Sequence, residues 1–148
     1  PNHTEWQRDL SVSYDRVGDM HKATGDNEAA LKAYQDGLAI ARKLAALDPN
    51  HTEWQRDLSV SHNKVGDMHK ATGDNEAALK AYQESLTIRR KLAALDPKIV
   101  EWQTDLVVSY YKLAQIQEQK RTLLYRDALN ILKRLYSENN QRGTIEDK

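Results

Sequence analysis

The chain has 148 residues, 22 Lys plus Arg against 22 Asp plus Glu, a formal net charge of zero and no cysteine. Polyanion binding needs a basic surplus gathered on one face, so this balance points away from nucleic acid, and the missing cysteine excludes disulfides, a thiolate nucleophile and Cys-based zinc sites. With 39% hydrophobic residues, three prolines, six glycines and no phenylalanine, the composition fits amphipathic helices whose interior is filled by Trp, Tyr, Leu and Ala, and no apolar run approaches the roughly 18 residues of a membrane span.

Positions 1–48 are written out again at 49–96, and the frame starts a third time at Pro97. The pairs that differ are Tyr14/His62, Asp15/Asn63, Arg16/Lys64, Asp36/Glu84, Gly37/Ser85, Ala39/Thr87 and Ala41/Arg89. A fixed period of this kind signals a repeat array, in which no unit buries its apolar face alone and each stacks on its neighbours. The predicted organisation is one repeat domain: repeat 1 at 1–48, repeat 2 at 49–96, repeat 3 with a C-terminal cap at 97–138, and a polar tail at 139–148 that frays. A start on a repeat boundary without Met and without a charged-then-apolar leader is what a piece cut from a longer array is expected to show.

In the second repeat a helix is predicted from His51 to about Thr72, with Trp54, Leu58, Ser61, Val65 and Met68 on one face at steps of four and three. Asn50 is its expected N-cap with Glu53 at N3, Pro49 stops the helix before it, and Asn2 with Glu5 repeats the device in the first unit. Gly73-Asp74 ends the helix, because Gly accepts the left-handed conformation after a C-cap and Asp74 caps the next helix. The second helix runs from about Asn75 to Leu95 with Ala78, Ala81, Ser85, Ile88, Leu92 and Leu95 as its stripe. The broad apolar band around that stripe suits a helix with neighbours on two sides.

The third repeat keeps Glu101, Trp102, Gln103, Asp105, Leu106, Val108 and Ser109, and its copy decays after Lys112. Leu113-Ala114 replaces Val-Gly, the Gly-Asp turn gives way to Gln119-Lys120-Arg121, and a last helix carries Tyr125, Ala128, Leu129, Leu132, Leu135 and Tyr136. An atypical final unit is how such arrays end without a sticky surface.

Read from Ser59, the second unit resembles a tetratricopeptide repeat. Val65-Gly66, Gly73-Asp74, Ala78, Tyr82 and Ser85 stand at that motif's steps, as do Val17-Gly18, Gly25-Asp26, Ala30, Tyr34 and Gly37 in the first unit. The usual period is about 34 residues; the surplus here falls around the Asp-Pro-Asn turn, where Trp54 and Leu58 are expected against Leu44 and Leu47, and Trp102 and Leu106 against Leu92 and Leu95. The longer period with its Trp-Gln-Arg-Asp-Leu string is similar to extended arrays of large bacterial multidomain signalling proteins. The resemblance implies an all-α, helical-hairpin solenoid, a right-handed superhelix of six helices in three repeats, and a cytoplasmic protein-interaction scaffold that is not an enzyme.

It also implies a groove lined by the first helices. The expected partner-binding residues are Asp15, Asp19, Lys22, Arg56, Asn63, Asp67, Lys70, Tyr111 and Gln115, a mixed-charge surface for a polar or charged peptide. The competing view of this face is a solvated one strengthened by i,i+3 and i,i+4 pairs. Asp19 and Asp67 stand where family members that grip a C-terminal carboxylate want a neutral amide, which disfavours that mode. His62 and His69 share a helix side but lack a third ligand, so packing is the expectation and no metal is assigned. No Gly-rich phosphate loop, His-Glu-x-x-His or Ser-His-Asp set is present, so no catalytic residue and no cofactor are assigned. Lys112, Lys120, Arg121, Arg126, Lys133 and Arg134 form a local basic excess without aromatics for base stacking, which makes nucleic acid a minor alternative. The main alternative is a structural spacer or self-assembly module, a homo-oligomer through the uncapped first repeat.

Overall fold

A computed structural model describes residues 3–146, with side chains through Gly143. Its elements are α1 (His3–Ala23), α2 (Asn27–Leu47), α3 (Thr52–Ala71), α4 (Asn75–Leu95), α5 (Val100–Ile116) and α6 (Arg121–Glu146), with a 3-10 turn at Glu118–Lys120. Every one of these elements is helical, giving an all-α fold of helical hairpins. The chain divides into two compact units, 1–88 and 89–148, with the division inside α4.

In the first unit the hairpin turns form as the sequence dictates. Gly25 and Gly73 adopt φ of +81° and +86°, the left-handed conformation that lets Asp26 N–H and Asp74 N–H reach back to the His21 and His69 carbonyls at 2.9 and 2.8 Å. Asp26 Oδ1 and Asp74 Oδ1 then accept from Ala29 N–H and Ala77 N–H at 3.1 Å, capping α2 and α4. Gly66 serves packing instead of a turn. A Cβ there would stand 2.6 Å from the Tyr82 ring, so the bare backbone admits the aromatic, and Gly18 does the same for Tyr34. Each tyrosine is 1% exposed and donates its hydroxyl to an aspartate of the preceding helix, Tyr34 to Asp19 and Tyr82 to Asp67.

The core of this unit lies where α2 meets α3. Ala30, Tyr34 and Leu38 of α2 cluster with Val65 and Met68 of α3, flanked by Leu31 and Leu58. The N-terminus of α3 differs from expectation. Its N-cap is His51, whose Nδ1 accepts from Trp54 N–H at 3.3 Å while the imidazole stacks on the Trp54 ring at 3.9 Å. Asn50 is instead held in the turn, its N–H donating to Asp48 Oδ1 at 3.1 Å. Asn2, the expected cap of α1, lies outside the described residues. Leu47 is 66% exposed, so it is Leu44, 2% exposed, that is buried near the α2 end.

In the second unit the end of α4, α5 and α6 bury Leu92, Leu106, Leu113, Ala114, Leu124 and Ala128. Leu95, expected to pack, is 67% exposed. The missing Gly-Asp turn is replaced by the 3-10 segment, and Arg121 Nε closes the end of α5 by donating to the Ala114 carbonyl at 3.0 Å. The buried side of α6 is set by Leu124 and Ala128, while Tyr125, Leu129, Leu132 and Tyr136 of the predicted stripe are exposed. Helix α6 also continues through Glu146, across the stretch expected to fray.

Candidate functional site

In the first unit a cavity of about 290 Å³ opens between α1 and α3 over a floor of Ala41 and Leu44 from α2. Steps of three and four along the two first helices bring charged groups to it, Arg8, Asp15 and Asp19 from α1 and Arg56, Asp57 and Lys64 from α3. Its walls are fastened by two ties between helices. Arg8 Nε donates to Asp57 Oδ2 at 2.7 Å while its Nη2 lies 2.8 Å from Glu53 Oε1. Farther along, Lys64 Nζ bonds Asp19 Oδ1 at 2.8 Å and lies 5.3 Å from the centre of the Tyr34 ring.

These ties fix charge states. The hydrogen bond to Asp57 raises the Arg8 pKa above its ordinary value. Burial works against the charge of Asp19, yet the hydrogen bonds from Lys64 and Tyr34 outweigh it and hold the carboxyl below the usual range. Asp15, between the two ties, has no such support. Its Oδ1 is shut off from solvent without a hydrogen-bond partner, and burial pushes its pKa up to about 6 although Lys64 opposes the shift. The oxygen is turned toward α2, where a Cβ on Gly37 would stand 2.9 Å from it, one helical turn from Ala41.

Of the sequence-predicted site residues, the cavity brings together Asp15, Asp19 and Arg56. Lys22 is exposed and Lys70 half-buried, neither of them lining it. Asp67 is committed to the Tyr82 hydroxyl. Asn63, expected on the groove face, is instead buried at 5% exposure, its Oδ1 without a partner. Tyr111 and Gln115 belong to the second unit, where both are exposed and Tyr111 meets Tyr125 edge-on at 5.9 Å. Sequence reasoning passed over Asp57 and Lys64, because Asp57 sits beside the Trp-Leu packing stripe; the Arg16/Lys64 exchange was the available signal. His62 is buried, its Nε2 3.2 Å from Glu84 Oε2, and burial lowers its pKa against the pull of that carboxylate.

The model of the tetratricopeptide repeat matches residues 10–53 and 61–96, ranges that contain the Gly-Asp turns and the glycine–tyrosine contacts. The chain belongs to the tetratricopeptide repeat family. Such repeats generally mediate protein–protein interaction and are typically not enzymes. Among solved structures, the crystal structure of MamA protein is similar at 14% identity over 86% of this chain and 94% of that one, with a TM-score of 0.31. No curated protein matches. Among the described residues of this tetratricopeptide repeat protein no helix is long and apolar enough to cross a membrane.

Proposed function

We propose that the chain is a protein-interaction module that docks a peptide or protein segment in the cleft between α1 and α3. The observation that supports this most is the cavity itself, whose two walls are linked to each other by Arg8–Asp57 and Lys64–Asp19. A surface fixed in advance loses little conformational entropy on binding, so modest polar contacts suffice for useful affinity. The charge of the walls, both signs within a few ångströms, suits a polar segment better than a greasy helix.

The test is selection of a displayed random-peptide library on the full chain, followed by amide chemical-shift mapping of the enriched peptides. Binders should perturb residues 8–19 and 56–64, and Arg16→Glu at the cavity rim should change their affinity with unchanged helicity. No enrichment, or binders that map elsewhere, would remove the cleft as the docking site.

A second reading has its own observation. Trp6, Leu10, Val17 and Met20 form an exposed stripe on α1, whereas on α3 the matching Val65 and Met68 are buried, and Leu58 partly buried, against α2. An α2-like helix from another repeat, or from a second copy of the chain, would complete α1 in the same way, as a spacer or assembly module requires. Sedimentation decides it: a chain that stays monomeric at all concentrations leaves self-assembly without support.

A further inference from the structure

We propose that the cavity between α1 and α3 is a receptor for an arginine side chain of the bound partner. This rests on the cleft being the docking site, and it names the residue that anchors there.

The repeat supplies its own template. Near the end of α2, Gln55 Nε2 donates to the Ala45 carbonyl at 3.2 Å, and near the end of α4 the equivalent Gln103 Nε2 donates to the Ala93 carbonyl at 3.0 Å. The two junctions are therefore built alike, 48 residues apart. At the second of them the residue corresponding to Ala41 is Arg89, only 5% exposed, whose Nη1 donates to the Asp105 carbonyl at 2.9 Å and to Ser109 Oγ at 3.3 Å. Those acceptors correspond to the Asp57 carbonyl and Ser61 Oγ, and Asp57 and Ser61 both line the first cavity. Where the fold supplies a guanidinium at one junction, it has a methyl group and a hole at the other.

The hole also contains what a guanidinium lacks at an apolar floor. Of the cations in the lining, which also include Arg16 and Arg56, Arg8 and Lys64 are matched to Asp57 and Asp19. Asp15 has one carboxylate oxygen with no donor, the one packed toward Gly37, which a side chain entering the hole reaches once the carboxylate rotates. A buried acceptor left unpaired is costly, and such groups call for a partner. A guanidinium offers five donors in a rigid plane, enough to serve a backbone carbonyl, a hydroxyl and a carboxylate at once, which a lysine ammonium cannot match in geometry. The volume, about 290 Å³, lies at the lower limit of about 300 Å³ for ligand pockets and suits one side chain.

The deciding experiment is an amide-shift titration of the 148-residue chain with N-acetyl-arginine N-methylamide, beside the citrulline analogue and inorganic phosphate. The arginine derivative should move the amides of Asp15, Ala41, Asp57 and Ser61, with the neutral citrulline analogue at least about tenfold weaker, as loss of a charge-assisted hydrogen bond predicts. Ala41→Arg should abolish the effect by filling the hole from within. If that variant fails to fold, Asp15→Asn, a residue the fold already carries at Asn63, should weaken arginine at least about tenfold while leaving helicity intact. Equal binding of citrulline, shifts elsewhere, or phosphate moving these amides while arginine does not would overturn the proposal. If the derivative fails while library peptides still map to the cleft, docking stands and the arginine assignment falls. If it binds with this fingerprint and the library yields nothing, the receptor stands and the docking reading falls.

Discussion

Helices α1 and α3 carry the same Trp-Leu-Val-Met stripe, yet Val17 and Met20 are 47% and 72% exposed while Val65 and Met68 are 6% and 1% exposed. The difference is the neighbour. Helix α2 lies between them, packing Tyr34 against Gly18 on one side and against Val65 and Met68 on the other. An apolar stripe thus records a capacity for burial, and the adjoining repeat decides whether it is used. The sharpest way to break this comparison is one substitution made twice. Met68→Ala should destabilise by about 2–5 kcal/mol, the usual cost of emptying a core site, and Met20→Ala by no more than about 0.5 kcal/mol. Chemical denaturation measures both, and equal losses would mean that α1 is covered in solution.

A second pair asks what does not depend on a neighbouring repeat. Gly18 and Gly66 each face the tyrosine of their own hairpin, so burial of the outer stripe should not matter to them. Gly66→Ala forces a Cβ into the Tyr82 ring, at about 1–3 kcal/mol for overpacking, less about 1 kcal/mol regained in helix propensity. Gly18→Ala should cost the same within about 0.5 kcal/mol. A clearly smaller loss at Gly18 would show that the first hairpin yields where the second does not.

How far the sequence carried obeys the same division. Local chemistry was legible: the bounds of α4, the left-handed Gly25 and Gly73 and the Asp26 and Asp74 caps all arise from residues a few positions apart. Features requiring a third dimension were not. His51 outcompetes Asn50 as the cap because its ring also stacks on Trp54, a gain that no cap preference includes. On α6 helical spacing offered two overlapping stripes, and packing chose Leu124 and Ala128. The cavity was marked by the Ala41/Arg89 exchange, but an exchange of alanine for arginine on a helix reads as surface variation until Arg89 is seen to be buried.

The smallest expected effect concerns Asp15, the carboxylate that the second repeat replaces with Asn63. Burial raises its folded pKa to about 6 from an ordinary 3.8, with Asp19 and Asp57 adding to the rise and Lys64 opposing it; α2 faces it with Gly37, and the cavity floor beside it is Ala41 and Leu44, none of which titrates. A group whose folded pKa is raised binds its proton more tightly in the native state, so stability falls as pH climbs from about 4 to about 6, and the penalty is complete above that. The full shift would be worth at most about 3 kcal/mol, and partial solvation of Asp15 reduces it to about 1 kcal/mol. Asp15→Asn should therefore raise the melting temperature at pH 7.5 and leave it nearly unchanged at pH 4. The titration of His62, whose pKa burial lowers, is common to both proteins and cancels in the difference. A gain that persists at pH 4 would assign the benefit to the amide's own contacts. A gain confined to neutral pH would mean that the first repeat sacrifices stability to keep a charge where the second keeps an amide, the trade expected of a carboxylate retained for a ligand.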